Sequence, residues 1–161
     1  MIETLALAAA VANGPDHITL LERSVDIKKP AAGAFGEQVE SAARVPKKWR
    51  PFARCVLDRE SGGTLHRKNS GEGARNPRSS ASGRFQFLNS QWQHGGSFMV
   101  KDRLVTFGVP ESHASKVRKK LGRTPIHKWD GHFQDTLFNE VVDRGGWYHW
   151  RNGDHCDGRR P

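Results

Sequence analysis

Glu60 is the residue whose type and position speak most directly of chemistry. From residue 46 to 61 the apolar side chains Trp49, Phe52, Ala53, Val56 and Leu57 recur at i, i+3, i+4, i+7 and i+8, which is one face of an α-helix. At roughly 100° per residue, Glu60 falls near the middle of that stripe and Asp58 points away from it. Gly62 and Gly63 then stop the helix. A carboxyl group on an apolar face, in the last turn of a helix, is expected to hold its proton. Desolvation disfavours the anion, and so does the negative end of the helix dipole. That is the setting of a general acid, the group that glycoside cleavage near neutral pH requires. Glu72, in the loop that follows, is read as a solvated residue rather than as a second catalytic carboxylate.

The elements that must position Glu60 follow from pattern and punctuation. Pro46 is expected at the first position of its helix. Residues 62–83 are rich in Gly, Ser, Asn, Arg and Pro without apolar periodicity, so they form a long loop. Residues 84–88 alternate briefly and are expected as a short strand, after which Asn89 or Ser90 caps a helix through Trp92. Pro110 opens a helix that carries the basic run 116–120 and ends at Gly122. Thr124 and Pro125 start a long helix with the stripe Ile126, Trp129, Phe133, Leu137 and Val141, stopped by Gly145 and Gly146. The expected fold is mainly α, with a minor strand region. Residues 1–45 read as a separate leader or docking segment, and 46–161 as the domain that carries the chemistry. In the leader, residues 3–12 are expected as a helix. They imitate a signal peptide, but with Glu3 where a positive n-region would stand. Residues 28–33 look like a linker and 35–44 like another short helix. The longest apolar run, 5–12, is too short to span a bilayer.

Two blocks in this order carry a resemblance. Asp58-Arg59-Glu60-Ser61-Gly62-Gly63 is followed by Ser80-Ala81-Ser82-Gly83-Arg84-Phe85-Gln86-Phe87. Together they resemble the lysozyme-like transglycosylase superfamily, nearest to the resuscitation-promoting-factor type and to related actinobacteriophage virion-associated lytic domains. Trp92 after Gln86, and the ending Gly145-Gly146-Trp147-Tyr148-His149-Trp150 with Cys156, agree with that family over roughly residues 47–156. The resemblance implies an α+β lysozyme-like fold and a muramidase or lytic transglycosylase activity. Glu60 would be the general acid/base on the bond between N-acetylmuramic acid and N-acetylglucosamine. It could then take a proton from the muramyl 6-hydroxyl, giving an anhydro product, or from water. The resemblance further implies a sugar groove lined by Ser61, Asn76, Ser82, Gly83, Phe85, Gln86 and Trp92. Each has a plainer reading beside it: Ser61 a hydroxyl closing the helix, Asn76 a turn former before Pro77, Phe85 core packing, and Trp92 either a sugar platform or core.

Three departures stand out. A cysteine lies five residues before Glu60, where those relatives have it immediately before. Trp150 and Cys156 are further apart than in the family ending, and the stretch 95–123 is longer and more basic. The two cysteines, Cys55 and Cys156, are either separate thiols or, in an oxidising place, a bridge. It would close a loop of about 100 residues, worth up to ~4.7 kcal/mol.

The remaining composition narrows the partners. The 161 residues suit one domain with extra length and carry a net charge of +9, from 26 Lys+Arg against 17 Asp+Glu. Such a charge serves solubility, or fits nucleic acid or an anionic bacterial wall, and does not by itself choose between them; of the two partners the wall is expected ahead of nucleic acid. Among the eight histidines no pair has a zinc spacing, His127 and His132 being five apart. No metal site and no cofactor are expected. The expected partners are the peptidoglycan glycan strand and, through residues 1–45, other phage tail proteins. The expected location is a virion at the bacterial wall, with a secreted enzyme as the alternative. A non-catalytic wall-binding or tail module is the rival from another class.

Overall fold

The computed structural model describes residues 27–28, 30–65, 70–151 and 156–161. Among these the chain is mainly α, with five α-helices and one two-stranded sheet. The helix expected over 3–12 lies outside the described residues, and no described helix is long and apolar enough to cross a membrane.

Helix α1, Gly36–Ala43, buries Val39, Ala42 and Ala43. It does not stand apart as a leader. Its last carbonyls, those of Ala42, Ala43 and Arg44, accept from Asn139 Nδ2 at 3.1–3.2 Å, and Arg103 Nε adds a bond to Ala42 O at 2.9 Å. These are the groups a helix end leaves without partners. Residues 36–45 therefore belong to the common core, which corrects a domain boundary at 45. The expected linker contains a 3₁₀ turn, Pro30–Ala32.

Helix α2, Arg50–Ser61, carries Glu60. Pro46 is not its first residue. It stands before a 3₁₀ turn, Lys47–Trp49, and Pro51 occupies the first turn of α2 instead. The stripe Trp49, Phe52, Ala53, Val56 and Leu57 is buried as its spacing requires. Gly62 ends the helix with φ 65°, where its N–H reaches Asp58 O and that of Gly63 reaches Leu57 O.

Strands β1, Ala81–Ser82, and β2, Phe87–Leu88, pair antiparallel, Ala81 facing Leu88 and Ser82 facing Phe87. The strand expected over 84–88 thus covers only its last two residues. Gly83 to Gln86 form the turn, closed by Gln86 N–H on Gly83 O at 3.1 Å.

Helix α3, Asn89–Thr106, runs straight through Gly95 and Gly96, far beyond Trp92. Gly96 is there for closeness: a Cβ would meet Leu137 at 3.0 Å. Asn89 is the first residue of α3 rather than its side-chain cap. Helix α4, Glu111–Leu121, follows Pro110 as expected. Helix α5, Gly131–Asp143, begins later than expected, because residues Ile126–Lys128 form a 3₁₀ turn and Asp130 caps the helix by accepting from His132 N–H. Its stripe is buried, and so are Gln134, Thr136 and Asn139 on other faces. A helix buried nearly all round is the central strut of the fold. Around it Phe85 stacks on Phe138 at 4.2 Å, and Trp150 meets Phe52, Phe85, Phe87 and Phe138 at 5.2–6.3 Å.

Candidate functional site

The buried stripe of α2 ends one turn before Glu60. Its side chain is 26% exposed and pairs with the guanidinium of Arg59, whose Nη2 and Nε lie 2.6 and 3.0 Å from Oε1. This corrects the expected apolar setting. The helix stops where the core does, and the neighbouring Arg59 folds over the carboxylate because Trp150 O holds its Nη2 at 2.9 Å. Both contacts fall on Oε1. No described residue donates to Oε2.

A short bond chain joins Glu60 to the hairpin. Arg59 bonds both Glu60 and Trp150 O, and Trp150 Nε1 donates to Phe85 O at 2.8 Å. Cys55, on the same helix, is bonded to Cys156 (Cα–Cα 5.7 Å), which ties the C-terminal tail back to α2. The structure therefore resolves the cysteine alternatives in favour of the bridge. The 3₁₀ turn Gly146–Trp150, between these anchors, presents the carbonyl that holds Arg59.

The other predicted site residues sort into two groups. Ser82, Gly83 and Phe85 are buried. Ser82 Oγ accepts from Asn89 Nδ2 at 2.9 Å, Gly83 N–H donates to Ala74 O at 2.7 Å, and Phe85 is core on its ring side with its carbonyl on Trp150. The Ser82 hydroxyl and the Phe85 carbonyl, expected to face the sugar, are thus engaged within the protein, and the Phe85 ring is core as its plainer reading had it. Gly83 has φ 81°, and a Cβ there would land on Gln134 Oε1. Gln86, Trp92, Asn76 and Ser61 remain accessible. Gln86 is the one non-glycine residue with positive φ (52°) among the described residues, a strain that functional sites often hold. Its Nε2 donates to Gly83 O at 3.0 Å. Trp92 is half-buried between Phe87 and His149. Asn76 Oδ1 accepts from Arg78 N–H, the contact of a turn former. Ser61 Oγ donates to Leu57 O and accepts from Gly63 N–H, closing the helix.

A second polar assembly was not visible in the sequence. Arg84 is 2% exposed on its side chain and donates to Asp135, Glu72, Ser70 O and Thr64 O. Its backbone N–H reaches Gln134 Oε1 at 2.7 Å, and Gln134 Nε2 reaches Trp129 O at 2.8 Å. Arg84 thus straps the loop after α2 to the hairpin and to α5. Glu72 is part of this strap and not a solvated loop residue. Burial pushes the Asp135 carboxyl up to about 7, against the opposing pull of Arg84. The Asp130 carboxylate on its Nδ1, at 2.6 Å, raises the His132 imidazole above its ordinary value. These groups, with Glu40 and Arg44, line a cavity of about 440 Å³, and Glu60 is not on its wall. The signal that points to Arg84 and Gln134 is polarity inside otherwise apolar segments, which demands partners once those segments are buried. Among the described residues no group of three or more His, Cys, Asp and Glu is placed to hold a metal.

No family model, no curated protein and no solved structure matches this chain.

Proposed function

We propose that the protein cleaves the glycan strand of peptidoglycan, in a lysozyme-like arrangement, with Glu60 as general acid and base. The observation that carries this reading is the pairing of Glu60, held by one oxygen at the end of α2, with a strained hairpin turn that the Arg59–Trp150–Phe85 chain ties to it. A proton on Oε2 would pass to the glycosidic oxygen. The carboxylate so formed would then take a proton from the muramyl 6-hydroxyl or from water. The anhydro route needs no second carboxylate, which suits a site where Glu72, in the loop after α2, is engaged by Arg84. Gln86 and Trp92 are the accessible candidates for holding the sugars.

The Cys55–Cys156 bridge supports action in an oxidising place. That fits a phage particle acting on the wall during entry, with the N-terminal segment ahead of α1 reaching other tail proteins, and it fits a secreted enzyme as well. The rival is a non-catalytic wall-binding module. Two observations favour it: Glu60 is ion-paired rather than set among apolar groups, and the cavity lies elsewhere. Mass spectrometry of purified walls incubated with the protein separates the two. Muropeptides ending in anhydro or reducing muramic acid support cleavage; intact glycan with bound protein supports the rival.

A further inference from the structure

Two acid-free stretches of the sequence come together in space. No Asp or Glu occurs from residue 73 to 101 or from 112 to 129. Asn89 links the two: its Nδ2 donates to Ser80 O and its Oδ1 accepts from Ile126 N–H, each at 2.8 Å. The loop that carries Arg75 and Arg78 is thereby set beside the 3₁₀ turn that carries Lys128. His127 lies between. Burial first, then the charges of Arg75 and Lys128, hold its imidazole below its ordinary value.

The same surface continues along α4. Gln93 Nε2 donates to Gly122 O at 3.1 Å and so fixes the end of α4, with Lys119 and Arg123, against α3. There the Arg118 guanidinium lies 4.4 Å over the ring of Phe98. Arg75, Arg78, Lys119, Arg123 and Lys128 are all exposed, and none forms an ion pair with the described residues. The carboxylates gather elsewhere, four of them around the cavity.

We infer that this surface, from the 75–78 loop across Lys128 to the end of α4, binds a phosphodiester-linked polyol chain attached to the bacterial wall and so holds the protein on its insoluble substrate. The choice of a wall polymer rests on the glycan-cleaving reading; the surface itself does not. A flexible chain of spaced phosphates needs separate, solvated cations rather than a shaped pocket, and that is what these residues offer. Single-stranded nucleic acid would need open aromatic faces for its bases. Phe98 already has Arg118 on its ring. The disulfide also favours a polyanion found outside the reducing cytoplasm.

The test uses full-length protein with four probes: walls carrying polyol phosphate, the same walls stripped of it by mild acid, and, as competitors, the free polyol phosphate polymer and a single-stranded DNA oligonucleotide. Binding is measured in the cold. Intact walls are expected to bind on the order of tenfold tighter than stripped walls, with the difference fading between about 0.05 and 0.3 M salt. Combined Arg75→Gln, Arg123→Gln and Lys128→Gln lowers affinity for intact walls by on the order of tenfold or more. Equal binding to intact and stripped walls overturns the inference, and so does unchanged affinity in the folded triple variant. DNA that displaces the protein at lower phosphate concentration than the free polymer overturns the choice of partner. Should the variant fail to fold, the wild-type salt titration decides, because salt-insensitive binding contradicts the surface. Fragment release from stripped walls by the wild-type protein, at working temperature, reports on cleavage separately.

Discussion

Glu60 and Arg59 are neighbours in the chain and one quarter exposed, and the Trp150 carbonyl is among the groups that hold Arg59. Arg84, Glu72 and Asp135 come from three separated parts of the chain, and the guanidinium at their centre is almost fully buried. Both are carboxylate–guanidinium arrangements, yet they do different work. An exposed pair contributes little to stability and can open at small cost. A buried one is strongly destabilised when one partner is removed, because the other charge is left uncompensated. The first can therefore yield an oxygen to a ligand, while the second holds the loop, hairpin and α5 in place.

The largest expected effect tests what anchors the Glu60 region from behind. Cys156→Ser, or reduction of the bridge, is expected to lower stability by about 3–5 kcal/mol, the range for a loop of about 100 residues. Urea unfolding with and without reductant reads this, and a loss below about 1 kcal/mol would mean that packing alone holds the tail. Arg84→Met comes next, with a loss of about 3 kcal/mol or more in the same assay. If it costs no more than Arg59→Gln, the contrast between the two networks disappears.

Asp135 sharpens the comparison through pH. Its ordinary value of 3.8 is raised to about 7 in the folded chain, chiefly by burial, with Arg84 and His132 opposing and Glu72 adding to the rise. A carboxyl raised on folding contributes stability that is fully present below about pH 4 and is lost as the pH climbs through about 7. The unfolding free energy of the wild type minus that of Asp135→Asn should therefore fall over this window and level off above it. A difference that rises with pH would reverse the assignment. The smallest effect on stability is expected from Arg59→Gln, under about 1 kcal/mol. Its effect on glycan release should still be on the order of ten- to a hundredfold, because Oε1 loses its anchor. Unchanged release would remove Arg59 from the account.

The same contrast explains what could be read from the sequence. The helices around Glu60 were legible, since Phe52, Val56 and Leu57 repeat at helical spacing and Gly62 takes the left-handed stop. The α5 stripe was legible for the same reason, though not its start, because Asp130 competes with Thr124 and Pro125 as the helix signal. The hairpin was not legible, only one strand being expected over 84–88, because strands of two residues cannot display alternation. Gly96 lets α3 approach α5, a closeness that nothing in its neighbours announces. Arg84, Gln134 and Asn139 carry only one local mark, polarity inside apolar segments, and it does not name their partners, some of which lie 50 to 97 residues away in the chain. The ion pair at Glu60 also eluded sequence reading, since nothing local says that Arg59 will meet the carbonyl of Trp150.

Glu60→Gln puts the central claim to its most direct test. The variant keeps the shape of the side chain and removes the titrating proton. Purified wild-type protein should release soluble fragments from peptidoglycan and clear a wall-containing gel, while the folded Gln variant should lose that clearing by on the order of a thousandfold. Equal clearing by both proteins would contradict Glu60 as the acid.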